Sequence, residues 1–263
     1  MYVIFGLLLL LLREFKGQFS TGQHKSNPKA RFCPYIAKHG CQDSEESMPR
    51  TQTTAENTVK SRRRTQERAE ATRSRLIAAG KQLFPERGFD AVSLKDLETL
   101  AGVKRNVLAY HFEDKETLWK AATDAIFGEM RMEFEQRLSI MREVSGRDAL
   151  AFIVRFYVYF HAGHPELSRL MSQEATRQSW RLEYLIEKHI RPSTIEMEKL
   201  VHETEGLSRD AFVHWYYIMI SSTSTIFSFA AECHDLFGVD PCQEPMVERH
   251  AEMLVSMLLN KGA

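Results

Sequence analysis

From about residue 60 onward, apolar side chains recur every three to four positions, the period that gathers them on one face of an α-helix. Leu76, Ala79, Leu83 and Phe84 share such a face behind the basic run Lys60-Ser-Arg-Arg-Arg-Thr-Gln-Glu-Arg68. Pro85, Arg87 and Gly88 disturb the end of this helix, and Gly88 suits a left-handed cap. Ser93 is placed to cap a second helix, with Asp96 three positions on as a weaker relative of the capping box and Leu94, Leu97 and Ala101 facing inward. Gly102-Val103 makes a sharp turn, and Lys104 to Tyr110 is long enough for about two turns of a third helix. Two short helices joined by a glycine-containing turn make a helix-turn-helix.

A fourth helix is expected from about Asp114 to Arg142, ended by Val144-Ser145-Gly146. Helical faces follow at Asp148–Ala162, Glu166–Thr176, Trp180–Glu205, Ser208–His234 and Pro245–Asn260, separated by Gly163-His164-Pro165, Glu205-Gly206 and Gly238-Val239-Asp240-Pro241. No segment alternates with period two, and no internal repeat appears. The pattern predicts an all-α chain: an N-terminal three-helix helix-turn-helix domain at residues 62–123, and a C-terminal helical domain for ligand binding and dimerisation at residues 124–263. Residues 13–60 are polar, with dispersed Gly, Ser, Thr, Asn and Pro, and are expected to have no fold.

The segments Arg75-Leu-Ile-Ala-Ala-Gly-Lys-Gln-Leu-Phe84, Gly88-Phe89, Ser93-Leu-Lys-Asp-Leu97, Ala101-Gly-Val103 and His111-Phe-Glu-Asp-Lys-Glu-Thr-Leu118 stand in an order that resembles the N-terminal domain of tetracycline-repressor (TetR) regulators. The likeness covers roughly fifty residues, far more than a bare helix-turn-helix. It implies a DNA-binding transcriptional regulator with a variable C-terminal domain that holds a small-molecule pocket, whose last two long helices pair with a second subunit. Two positions depart from the family pattern: Ala109 stands where a phosphate-binding Tyr is usual, with Tyr110 one place later, and Asn106 replaces a small residue near the start of the reading helix.

Charge agrees with that division. The formal net charge is zero, but residues 48–128 carry 15 Lys+Arg against 11 Asp+Glu, whereas residues 129–263 carry 14 against 20. The basic part is the one expected to meet a polyanion. Lys104, Arg105 and Asn106 offer donors suited to guanine O6/N7 or adenine N6/N7 in a major groove. Ser93 at a helix start, Tyr110, His111 and Lys115 are candidates to hold phosphates, and Arg62, Arg63 and Arg64 could act as an arm in a minor groove. The bland alternatives are solvated charges for Lys104, Arg105 and Lys115, and packing under the fourth helix for Tyr110 and His111.

In the C-terminal half, Phe152, Phe156, Tyr157, Phe160, Met171, Trp180 and Trp215 supply apolar surface for an effector cavity, with Tyr184 beside them and Glu174, Arg177 and His161 as polar fixing points. Most aromatics at this spacing simply form core. His161-Ala-Gly-His164-Pro-Glu166 invites a metal site but reads better as Gly and Pro punctuation. Trp215-Tyr-Tyr-Ile-Met-Ile220 followed by Ser221-Ser-Thr-Ser-Thr-Ile-Phe227 suits close packing against a symmetric copy, together with Met253, Leu254, Met257 and Leu258.

The sum is a ligand-responsive repressor: a cytoplasmic homodimer on a palindromic double-stranded DNA operator, released by a small-molecule effector, without cofactor or metal. Cys33, Cys41, Cys233 and Cys242 are too scattered for a disulfide scaffold or a zinc site. No phosphate loop, nucleophile elbow or His-Glu-x-x-His motif supports catalysis. The apolar run at residues 1–12 is shorter than the roughly 18 residues of a spanning helix and lacks the basic flank of a signal peptide, so translation is expected to begin at Met48. The rival reading is a membrane-tethered helical interaction protein anchored by Tyr2–Leu12.

Overall fold

The computed structural model describes residues 51–140 and 145–259, with side chains described at 62–139 and 145–259. The expectations for residues 1–50, including the start at Met48 and the anchor at Tyr2–Leu12, lie outside the described residues. The chain divides into two units, Met1–Arg68 and Ala69–Ala263. Every regular element among the described residues is a helix: α1 Thr51–Arg87, α2 Leu94–Leu100, α3 Leu108–His111, α4 Lys115–Ile140, α5 Gly146–Gly163 and α6 Pro165–Glu174. Then come α7 Trp180–Leu185, a π-helical turn at Ile186–Ile190, α8 Arg191–Glu205, α9 Arg209–Ser228, α10 Ala230–Phe237 and α11 Glu244–Leu259.

Several boundaries differ from the sequence pattern, each for a local reason. Thr51–Lys60, expected to lack a fold, begins α1, since no Gly or Pro interrupts the chain until Gly80. Pro85 does not stop α1, which runs to Arg87 before Gly88, at φ +81°, donates its N–H to Phe84 O. The expected single helix Trp180–Glu205 contains the π turn just ahead of Pro192, whose missing N–H leaves the usual four-residue spacing unfulfilled. The expected helix Ser208–His234 breaks at Phe229. There the hydroxyls of Ser224 and Ser228 bond to the carbonyls of Ile220 and Ser224 at 2.8 and 3.1 Å and compete with the backbone ladder.

Two apolar clusters organise the second unit. Leu76, Leu83 and Phe84 of α1, Leu97 of α2, Leu108 of α3 and Leu118, Trp119 and Ile126 of α4 form the first. Gly80 permits the approach of α1 to α4, since a Cβ there would stand 3.0 Å from that of Ala122. α5 serves both clusters from opposite faces: Phe156 and Phe160 join the first, Leu150, Val154 and Val158 the second, which α8, α9 and α11 complete. The long helix α4 and the double-sided α5 thus carry the small N-terminal helices on the C-terminal ones.

Candidate nucleic-acid interface

The helix-turn-helix is assembled by short, complementary hydrogen bonds. Ser93 caps α2 with a complete box: its Oγ accepts from Asp96 N at 3.2 Å and donates to Asp96 Oδ2 at 2.6 Å, while its own N–H donates to that carboxylate at 3.0 Å. The Ser93 hydroxyl bond holds the Asp96 carboxyl below its ordinary range. Gly102 turns the chain at φ +61°, and Arg75 Nη1 of α1 donates to its carbonyl at 3.3 Å.

The third helix is shorter than expected. Lys104–Val107 forms a turn, with Val107 N donating to Lys104 O at 3.3 Å, and only Leu108–His111 is α-helical. Asn106 stands at φ +67°, a left-handed conformation that no α-helix continues through, and Asn is among the few residues that tolerate it. The N-terminus of α3 is held instead by Glu98 of α2. Its buried carboxylate, 7% exposed, accepts the Leu108 N–H at 3.0 Å, an anionic group on an orphan donor at the positive end of the helix.

With Leu108 and Phe112 buried beneath, α3 turns Ala109 and Tyr110 outward, Tyr110 being 83% exposed. Lys104, Arg105 and Asn106 are exposed in the turn that precedes it, and His111 is half-buried with its ring 5.1 Å from that of Tyr110. Four of these five side chains are exposed, and all five fall within the eight residues Lys104–His111. Lys115 does not join them: its ammonium donates to Phe89 O at 2.9 Å and Val92 O at 3.0 Å, and sits 4.2 Å from the Phe89 ring centroid. That engagement ties the α1–α2 link to α4 and commits two of the three ammonium N–H donors to carbonyls, leaving one for the phosphate contact expected of Lys115. Arg62, Arg63 and Arg64 lie in the first unit, exposed on α1, where Arg63 pairs with Glu67 at 2.9 Å.

Sequence reasoning missed Glu98 and Arg75. The signal for Glu98 was available, since position 98 follows the buried Leu97 and lies three before the buried Ala101, whereas Leu94, expected to face inward with them, is 44% exposed at the start of α2. A charged residue there demands a buried partner.

The residues expected to line an effector cavity are distributed among several packings. Phe152 and Phe156 meet Phe134 of α4 at 5.4 and 4.9 Å between ring centroids. Met171 and Phe160 belong to the first cluster, Trp215 to the second, and Tyr157 touches both. Burial pushes the Tyr157 phenol well above its usual range. Glu174, 4% exposed, pairs with Arg181 Nε at 2.7 Å, and Trp180 stands edge-on to Phe89 and Trp119. These two lie where the helix-turn-helix core meets α6 and α7. His161 is buried, Nδ1 2.9 Å from Ser168 Oγ, and burial pushes its imidazole down to about 4. Arg177 is exposed. Among the described residues, no helix is long and apolar enough to cross a membrane.

Residues 76–122 match the family model described as bacterial regulatory proteins, tetR family, and residues 147–258 match that of the tetracyclin repressor-like C-terminal domain. Similar curated proteins include the HTH-type transcriptional regulator AcrR of Shigella flexneri, 31% identical over 91 residues covering 31% of this chain and 42% of AcrR. The HTH-type transcriptional regulator TtgR of Pseudomonas putida is 39% identical over 64 residues, 24% of this chain and 30% of TtgR. The chain matches less than half the length of these relatives. Among solved structures, the fatty acid degradation regulator FadR from Bacillus halodurans is similar with a TM-score of 0.54 at 15% identity, over 72% of this chain and 97% of that one. FadR from Bacillus subtilis, solved in complex with stearoyl-CoA, gives 0.50 at 14% identity, over 70% and 97%. At such identities the likeness is one of fold.

Proposed function

Because the chain belongs to the TetR family of bacterial regulatory proteins, which are DNA-binding regulators and not enzymes, we propose that it represses transcription as a homodimer on a partly palindromic operator and is released by a small-molecule effector. The observation that carries this reading is the outer surface of α3 and the turn before it, where Lys104, Arg105, Asn106 and Tyr110 are exposed while Leu108 and Glu98 fix the helix from beneath. Lys104, Arg105 and Asn106 read base edges, and Tyr110 and His111 approach phosphates. Ser93, its hydroxyl already engaged by Asp96, serves chiefly to orient α2. Residues 62–123 are the DNA-reading part, with Arg62–Arg64 adding counterion release, and residues 124–263 the sensing and pairing part.

The dimer reading is supported by an exposed apolar stripe: Val213, Tyr217 and Ile218 on α9, with Met253 and Met257 on α11. Tyr217 is 65% and Met257 71% exposed, and the i, i+4 spacing of 213/217 and 253/257 sets them in rows that a two-fold copy would cover. The effector is an apolar small molecule received among the C-terminal helices, where Phe152, Phe156 and Phe134 gather. It releases DNA by binding a dimer geometry mismatched to the operator better than the matched one, by roughly 5 kcal/mol for a near-complete switch.

Footprinting of the promoter beside its own gene tests the proposal. Protection of two half-sites about 34 Å apart is expected. Absence of protection at moderate salt, or protection unchanged by a combined Lys104→Ala/Arg105→Ala exchange, overturns it.

A further inference from the structure

In the sequence His164 and Glu166 flank Pro165 and read as loop punctuation. The fold brings Glu129 of α4 to them, so that one ligating atom from each of Glu129, His164 and Glu166 lies within 4.8 Å of the others. We infer that these three residues bind a first-row divalent metal ion of the zinc and manganese class. Donors about 2.0–2.2 Å from a tetrahedral ion stand roughly 3.3–3.6 Å apart, so the trio closes on an ion by drawing in by up to about 1.5 Å, which side-chain rotation of the two glutamates supplies.

The imidazole is held as a metal ligand is held. Its ring stacks on Phe160, 4.3 Å between centroids at 14°, which fixes its plane. Nε2 lies 2.8 Å from Glu133 Oε1, a carboxylate outside the trio, and Nδ1 faces Glu166 Oε1 at 3.2 Å. A neutral imidazole carries one N–H. With that proton directed to Glu133, the Nδ1 lone pair points at a carboxylate, and a cation between them satisfies both. A histidine that gives its far N–H to a carboxylate while its near nitrogen meets the metal is the usual outer-shell arrangement.

Access is open. A concavity of about 290 Å³ between α1 and α6 has Lys81, Gln82, Glu166 and Arg169 in its wall, so a hydrated ion reaches Glu166 and keeps waters on its free positions. Lys81, whose ammonium holds both oxygens of Glu129 at 2.5 Å, supplies the neutralising charge that the ion replaces. One nitrogen and two carboxylate oxygens, with no thiolate, select an N/O-binding ion of the first transition row over copper(I) or cadmium.

Titration of the chelator-treated, untagged full chain with CoCl₂, followed by visible absorption, and with ZnCl₂, followed by calorimetry, tests the site. One ion per chain is expected, with His164→Ala and Glu166→Gln each weakening binding tenfold or more, Glu133→Gln weakening it about 10- to 100-fold, and Lys81→Met tightening it. Thermal melting without metal checks that each variant folds, and Glu129→Gln replaces any that does not. No uptake overturns the inference. So does uptake unaffected by these exchanges, or a thiolate-to-cobalt charge-transfer band, which assigns the ion to the cysteines.

Discussion

Glu98→Ala removes the side chain that satisfies the first N–H of the reading helix. The Leu108 amide is buried and takes the Glu98 carboxylate at 3.0 Å, and α3 has only four helical residues of its own. An isolated helix of that length has no stability in water, so its orientation depends on this bond and on Leu108 and Phe112 beneath it. Leaving a buried donor without a partner costs about 1–3 kcal/mol, and losing a helix cap about 0.5–2 kcal/mol. The two describe the same loss, so about 2 kcal/mol is expected for the alanine. That corresponds to a fall in Tm of roughly 4–8 °C for a chain of this size. If the energy is lost wholly in ordering α3, operator affinity falls by up to about 30-fold for each half-site read. Glu98→Gln keeps an acceptor oxygen but loses the charge, which contributes about half of such a bond, and falls midway. Differential scanning calorimetry and fluorescence anisotropy on one operator duplex measure both effects. An alanine variant equal to wild type in Tm and affinity refutes the capping argument; a glutamine variant as damaged as the alanine shows that charge, and not the bond, matters.

Four further outcomes follow from the same geometry. Asn106→Gly, in the left-handed conformation that Asn106 occupies, leaves stability within a few tenths of a kcal/mol, whereas Asn106→Val costs about 1–2 kcal/mol; urea denaturation separates them, and equal losses contradict the backbone reading. Lys115→Met loses the bonds to Phe89 O and Val92 O and costs about 1.5–3 kcal/mol, while the salt dependence of DNA binding keeps its slope; a slope shallower by about one would return Lys115 to the phosphates. His161, pushed down to about 4 by burial, binds its proton in the unfolded chain first, so its contribution to stability is whole above about pH 6.5 and is lost as pH falls toward 4, by roughly 3 kcal/mol in total. Denaturation between pH 7 and 4.5 shows this slope, and His161→Phe should flatten it. Met257→Glu, placing charge in the exposed stripe of α11, converts a dimer to monomers in sedimentation equilibrium; an unchanged mass argues against that face.

The helical class and the order of elements were legible because helical burial repeats with a fixed period, and Leu76, Leu83, Leu97, Leu108 and Leu118 all lie in the core where that period sets them. Ser93 with Asp96 was legible because a capping box is a purely local arrangement, closed within four residues. Where the reading failed, the deciding partner was distant in sequence or the competition was between two local bonds. Lys115 looks like any solvent-facing lysine at a helix start until the fold brings two carbonyls from 23 and 26 residues earlier to its ammonium. Asn106 hides a left-handed residue inside a segment whose composition is compatible with helix, and so shortens α3 from its expected start at Lys104 to Leu108. The aromatic residues of the C-terminal half were the least informative, because an apolar side chain that lines a cavity and one that fills a core have the same periodicity. Trp180 illustrates the difficulty: its place on the inner face of its helix was readable, but that the inner face meets Phe89 and Trp119 of the helix-turn-helix core depends on how α6 and α7 approach α1 and α4. The same dependence decides what Glu174 meets. Its carboxylate points to Arg181, seven residues on, and Arg181 in turn lies 4.9 Å from the Phe89 ring, so this residue joins the C-terminal helices to the DNA-reading end.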